Sequence, residues 1–195
     1  MNTLICILII IGISLDVLGA MEIEGAMLGE IKKKDMVLAS LLVIGLQLLF
    51  FFAGYIACDL VVRYDIFTHG DTTASIIAVA IFVLLGIRLL IKGIRRAFIE
   101  ERRQEFSLAK YMKGIFTLSF YTLCAGCACG FIDASPLLML VTMIICSVSV
   151  TVGGIFIGYH YGFGSKSTGY FVGTAFLWLA GIYVFVTGLY PVIAG

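Results

Sequence analysis

The sequence predicts an all-α polytopic membrane protein, with six transmembrane helices arranged as two inverted three-helix repeats. Three observations carry this expectation. Of the 195 residues, 62% are hydrophobic and 13% charged, whereas a soluble globular domain is about 45–50% apolar and roughly 25% charged. The apolar residues gather into six stretches, each near the ~20 residues needed to cross a hydrocarbon core. The charged residues gather between the stretches, most densely near the middle of the chain.

The first stretch, Leu4–Met21, lacks a basic leader and a small-residue cleavage site and carries Asp16. It therefore reads as a retained helix rather than a signal peptide. The second, Met36–Cys58, holds one strongly polar residue, Gln47, and the third, Ala74–Lys92, holds Arg88. The fourth, Gly114–Phe131, contains Cys124, Cys127 and Cys129. The fifth and sixth are Pro136–Tyr159 and Gly169–Val192. Little sequence remains for a soluble domain. The net charge of +1 supplies no basic domain for nucleic acid, so the expected partner is the lipid bilayer.

The basic segment 95–113 reads as a cytoplasmic linker between a first repeat, 1–94, and a second, 114–195. Cytoplasmic loops hold the excess of Lys and Arg. Eleven of the thirteen basic residues fall on one side: Lys32, Lys33, Lys34, then Lys92, Arg95, Arg96, Arg102, Arg103, Lys110 and Lys113, then Lys166. Arg63 alone falls on the other, and Arg88 lies inside a span. Both termini are thus expected outside the cytoplasm, in a multi-pass protein of the cell membrane.

The halves resemble each other weakly. Gly86-Ile87 with Gly93 in the third span matches Gly181-Ile182 with Gly188 in the sixth. Phe52-Ala53-Gly54-Tyr55 matches Phe156-Ile157-Gly158-Tyr159 in the second and fifth. Three helices per copy force opposite orientations, an architecture whose substrate sites lie near the midplane. Among the 22 glycines, Gly126/Gly130, Gly153/Gly154 and Gly158/Gly162 are spaced for close helix packing.

Asp16 is the most informative residue, because an acid within lipid depth costs about 2.5–3.5 kcal/mol on insertion scales and usually faces a partner or an aqueous path. It is expected to be a cation ligand or proton acceptor. Glu22 and Glu24 follow at the predicted cytoplasmic mouth, Glu24 about 80° around the helix from Asp16. They read as a cation-gathering funnel or as a solvated helix end. Arg88 is expected either to snorkel or to pair with a carboxylate across the bundle. Cys124 and Cys127 share a helix face, with Cys129 about 200° away from Cys127, and thiolates select soft ions. The six cysteines, Cys6, Cys58, Cys124, Cys127, Cys129 and Cys146, all lie in or at the edge of spans, where a thiol behaves as a small apolar group. Gln47, Thr122, Ser147, Ser149 and Thr151 add neutral oxygens. No nucleophile–His–acid set or phosphate-cradling loop is present, and His69 and His160 sit near helix ends. Neither an enzyme nor a bound cofactor is expected.

The chain resembles the MntP-type manganese efflux pumps of the wider LysE transporter superfamily. Ser14-Leu15-Asp16, followed by Gly25-Ala26, is similar to that family's Ser-x-Asp signature. Leu84-Leu85-Gly86-Ile87-Arg88-Leu89-Leu90-Ile91-Lys92-Gly93-Ile94-Arg95 is similar to its Leu-Gly-Gly-Arg…Gly-Phe-Arg segment. The resemblance implies export of a divalent, Mn2+-like cation by alternating access around Asp16, with Ser14, Gln47 and Thr122 as auxiliary oxygens. Two positions depart from the family's pattern, because Thr122 stands where its second Asp would be and Gln47 replaces its acidic residue in the second helix. Either Glu22 and Glu24 compensate, or Cys124 and Cys127 shift the preference to Cd, Zn or Cu, or the frame has lost transport. A LysE-like amino-acid exporter has only Arg88 to hold a carboxylate. Which cation, what coupling and whether a homodimer forms stay open.

Overall fold

A computed structural model of the chain describes residues 3–27, 33–64, 70–94, 108–132, 135–162 and 166–189. The described residues form six long helices and no strand: α1 Thr3–Met27, α2 Lys33–Arg63, α3 Gly70–Ile94, α4 Leu108–Phe131, α5 Pro136–Tyr161 and α6 Lys166–Val184. A single π-helical turn, Phe185–Leu189, follows α6. All six are long and apolar enough to cross a membrane. Lipid offers no hydrogen bonds to the backbone, so each crossing segment satisfies its own N–H and C=O groups as a helix. The chain is a multi-pass membrane protein. Residues 95–107 of the expected linker, and residues 190–192 of the expected sixth span, lie outside the described residues.

Helices run past the apolar runs that predict them. Helix α1 continues from Met21 to Met27, carrying Glu22 and Glu24 within it. Helix α5 starts with Pro136 in its first turn and ends at Gly162, whose φ of 69° turns the chain out of the helix while its N–H donates to the Gly158 carbonyl at 2.9 Å.

Helix α1 is the most enclosed span, with 61% of its apolar window buried against 28–44% for the others. It packs most extensively on α5 and α6, while α2 packs on α4 and α3 on α6. Close approach depends on small residues. A Cβ on Gly25 would collide with the Ile155 backbone, and one on Gly158 with the Glu22 carbonyl oxygen, so α1 and α5 touch through backbone. The same holds between α2 and α4, where Gly54, Gly126 and Gly130 face the carbonyls of Leu123, Phe51 and Tyr55. In lipid such packing replaces the missing hydrophobic drive between helices. Two of the glycines expected to pack do not: Gly153 faces open space, and Gly162 serves the left-handed turn that ends α5.

The core joins Ile9, Ile10 and Ile13 of α1 with Phe51, Phe82, Leu89, Met139, Met143 and Leu177. Leu41, Leu49 and Ile56 of α2, Leu140 and Ile145 of α5, and Leu179 and Ile182 of α6 stay exposed at the surface, as residues facing lipid tails do.

Candidate metal site

Asp16 sits at the middle of the most enclosed helix, Thr3–Met27, and is 4% exposed. Its carboxylate is held at both oxygens by side chains of α3. Arg88 Nη1 donates to Oδ2 at 2.5 Å, and Lys92 Nζ donates to Oδ1 at 2.7 Å. The two cations stand four residues apart, one helical turn, and so present a common face to α1. Of the two roles open to Arg88, the structure shows pairing across the bundle.

Each cation also lies over an aromatic ring. The Arg88 guanidinium carbon is 3.1 Å from the Tyr121 centroid on α4, and Lys92 Nζ is 5.7 Å from the Tyr170 centroid on α6. Tyr170 in turn occupies the space beside Gly19, where a Cβ would strike its ring and hydroxyl. Charge-assisted hydrogen bonds are about twice as strong as neutral ones, and ring faces add attraction to desolvated cations. The cluster therefore ties α1, α3, α4 and α6 together at one level.

A cavity of about 10 Å³ opens beside the carboxylate, lined by Asp16, Arg88, Tyr121, Thr122 and apolar residues including Ile13, Leu85 and Leu118. That volume is about one water molecule. Thr122, expected as an auxiliary oxygen, is buried on this wall, its hydroxyl 3.4 Å from the Leu118 carbonyl one turn back. Gln47 does not line the cavity. It is buried between α2 and α5, where Ser147 Oγ donates to its Oε1 at 2.5 Å. Its Nε2 meets no hydrogen-bond partner among the described residues. Ser14 points away from Asp16 toward Cys146 of α5.

Glu22 is not at a wetted mouth. It is 1% exposed, packed where Gly154 and Gly158 let α5 close over α1. Glu24 is half-buried. All six cysteines are free. Cys127 is neighboured by Cys124 on its own helix and meets the thiol of Cys58 across the α2–α4 contact. Among the described residues no group of three or more His, Cys, Asp or Glu converges to hold a metal ion. Asp16 is the carboxylate that lines the cavity beside Arg88 and Thr122.

Sequence reasoning missed Lys92 as a partner of Asp16, and missed Tyr121 and Tyr170.

Six spans enclosing a charged cluster at lipid depth define a class, that of multi-pass membrane proteins with an ionisable site inside the bundle, which mark ion and substrate pathways. Comparison with known families sharpens this. Residues 30–185 match the MntP family model, whose description reads "Putative manganese efflux pump", and the chain belongs to that family. It is a family of transporters rather than enzymes. The match begins after α1, so the assignment of Asp16 rests on geometry. No curated protein and no solved structure matched the chain.

Proposed function

We propose that the chain exports a divalent, Mn2+-like cation by alternating access around Asp16. One observation carries the reading: a carboxylate 4% exposed at lipid depth borders a cavity of one-water size that Thr122 also lines. A hydrated ion does not fit such a space, so the cargo sheds water and takes oxygen ligands, the donors Mn2+ prefers. Asp16 is the central ligand and Thr122 the second, with Gln47, Ser14, Glu22 and Glu24 as oxygens that join only if the helices rearrange.

The surroundings fit a gated path. Lys92 lies two residues from the end of α3 and its side chain is 33% exposed, which leads from Asp16 to the inner surface if the basic loops are cytoplasmic. Toward the other end of α3 a cavity of about 250 Å³ is lined by Ser75, Tyr183 and Thr187. Between the two, Phe82 and Leu85 are buried and form an apolar barrier along α3. The pairing of α1 with α5 and of α2 with α4 is what a two-fold relation between inverted halves 1–94 and 114–195 would produce, and rocking of one half on the other would open each side in turn.

Cells loaded with Mn2+ and expressing either the wild type or Asp16→Asn test the reading through retained metal. Export predicts low retention with the wild type and high retention with the variant. Equal retention in both would remove the proposal.

A further inference from the structure

Asp16 holds its two cations unequally. Arg88 makes the 2.5 Å contact and stacks on Tyr121, so leaving the carboxylate would cost it two partners. Lys92 lies 5.7 Å from the Tyr170 centroid, near the ~6 Å limit of useful ring attraction. The Lys92 side chain is also the more exposed, 33% against 20% for Arg88. It carries its charge on a flexible four-carbon stem close to the end of α3, so its ammonium can reach water while the stem stays apolar. The cavity beside Asp16, about 10 Å³, has no room for a metal ion and an ammonium together.

We propose that Lys92 is the built-in substitute for the exported cation. In the ion-free carrier its ammonium occupies Asp16 Oδ1; an arriving metal ion displaces it into water; when the metal leaves on the far side, the ammonium returns. This rests on the exporter reading above and adds the coupling logic of the same site. An empty carrier must bring its carboxylate back through lipid depth with Arg88 still on Oδ2 but Oδ1 left without a partner, which is costly for a charged oxygen there, and the ammonium fills that place. A ligand that occupies the binding-competent carboxylate also lowers apparent metal affinity by the fraction of time it is there.

Transport kinetics separate the two roles. Exchange of radiolabelled Mn2+ between equal concentrations on both sides of a proteoliposome uses only the loaded carrier, whereas net efflux into metal-free buffer needs the empty one to return. With the purified full chain, Lys92→Gln should keep exchange within about twofold of wild type while net efflux falls about tenfold or more, the scale expected when a buried oxygen is left one partner short. Half-saturation of exchange should fall, because the competitor is gone, and Lys92→Arg should restore net efflux. Exchange and net efflux falling together would overturn the role of Lys92 and leave the exporter reading standing. Wild-type protein that moves Mn2+ in neither mode would overturn both.

Discussion

Asp16 and Arg88, separated by 72 positions in the chain, meet at 2.5 Å inside the bundle. The contact joins the most enclosed helix to one that reaches the surface, and it fixes which face of α3 looks inward. Removing Asp16 leaves the Arg88 charge without its carboxylate, at about 3–5 kcal/mol, whereas removing Arg88 leaves Asp16 with Lys92 still on Oδ1 and should cost less. Asp16→Asn and Arg88→Gln should each lower the thermal midpoint of the detergent-solubilised protein. The double variant should lose less than the two losses added, by about 0.5–3 kcal/mol. Strict additivity would show the pair to be incidental.

Tyr121 bears on the same cluster from α4. Tyr121→Leu should destabilise by about 0.5–2 kcal/mol through loss of the ring face beneath Arg88. Tyr121→Phe keeps that face and should stay near wild type. Thermal unfolding of the pair is the check, and equal losses would point to the hydroxyl instead of the ring.

The α1–α5 contact gives a sharper test. A Cβ at Gly158 meets backbone, the Glu22 carbonyl, which cannot swing aside. Gly158→Ala should therefore cost about 1–3 kcal/mol, the range for overpacking, and should reduce export. Gly153, its near neighbour, faces open space, so Gly153→Ala should fall within about 0.5 kcal/mol of wild type. Similar effects at both positions would contradict the packing.

Ser147→Ala removes the donor to Gln47 Oε1. Within membranes such side-chain bonds average about 0.6 kcal/mol, so the thermal midpoint should drop slightly. Gln47→Leu together with Ser147→Ala should recover part of that loss, because no buried amide is then left without partners.

The cysteines supply the discriminating negative. Cys127 meets Cys58 rather than the Asp16 cavity, so serines at Cys124 and Cys127 should leave Mn2+ export unchanged. Loss of Mn2+ export in that variant would move the ligand set toward α2 and α4.

Much of the fold was legible because the bilayer demands runs of about 20 apolar residues, and the six runs coincide with six helices. Asp16 was legible because a carboxylate in such a run stands out. Its partners were less so. Lys92 reads as a boundary residue, and only one helical turn of arithmetic from Arg88 hints that both reach the same carboxylate. Tyr121 and Tyr170 look like any aromatic in an apolar span, since lipid-facing and core-facing rings carry the same local pattern. Glu22 read as a wetted end because the apolar run stops at Met21. In fact α1 continues to Met27 and two glycines of α5 let that helix close over it. Gln47 and Thr122 were expected at one site with Asp16; Thr122 does line the Asp16 cavity, whereas Gln47 stands on the α2–α5 contact with Ser147, a separation set by inter-helix rotation that residue spacing within one helix does not encode.

A crystal of the protein soaked with Mn2+ and measured at the manganese absorption edge tests the central claim most directly. An anomalous peak bounded by the Asp16 carboxylate and the Thr122 hydroxyl, with Lys92 withdrawn, is the predicted result. Manganese found only elsewhere, with both cations still on Asp16, would contradict it.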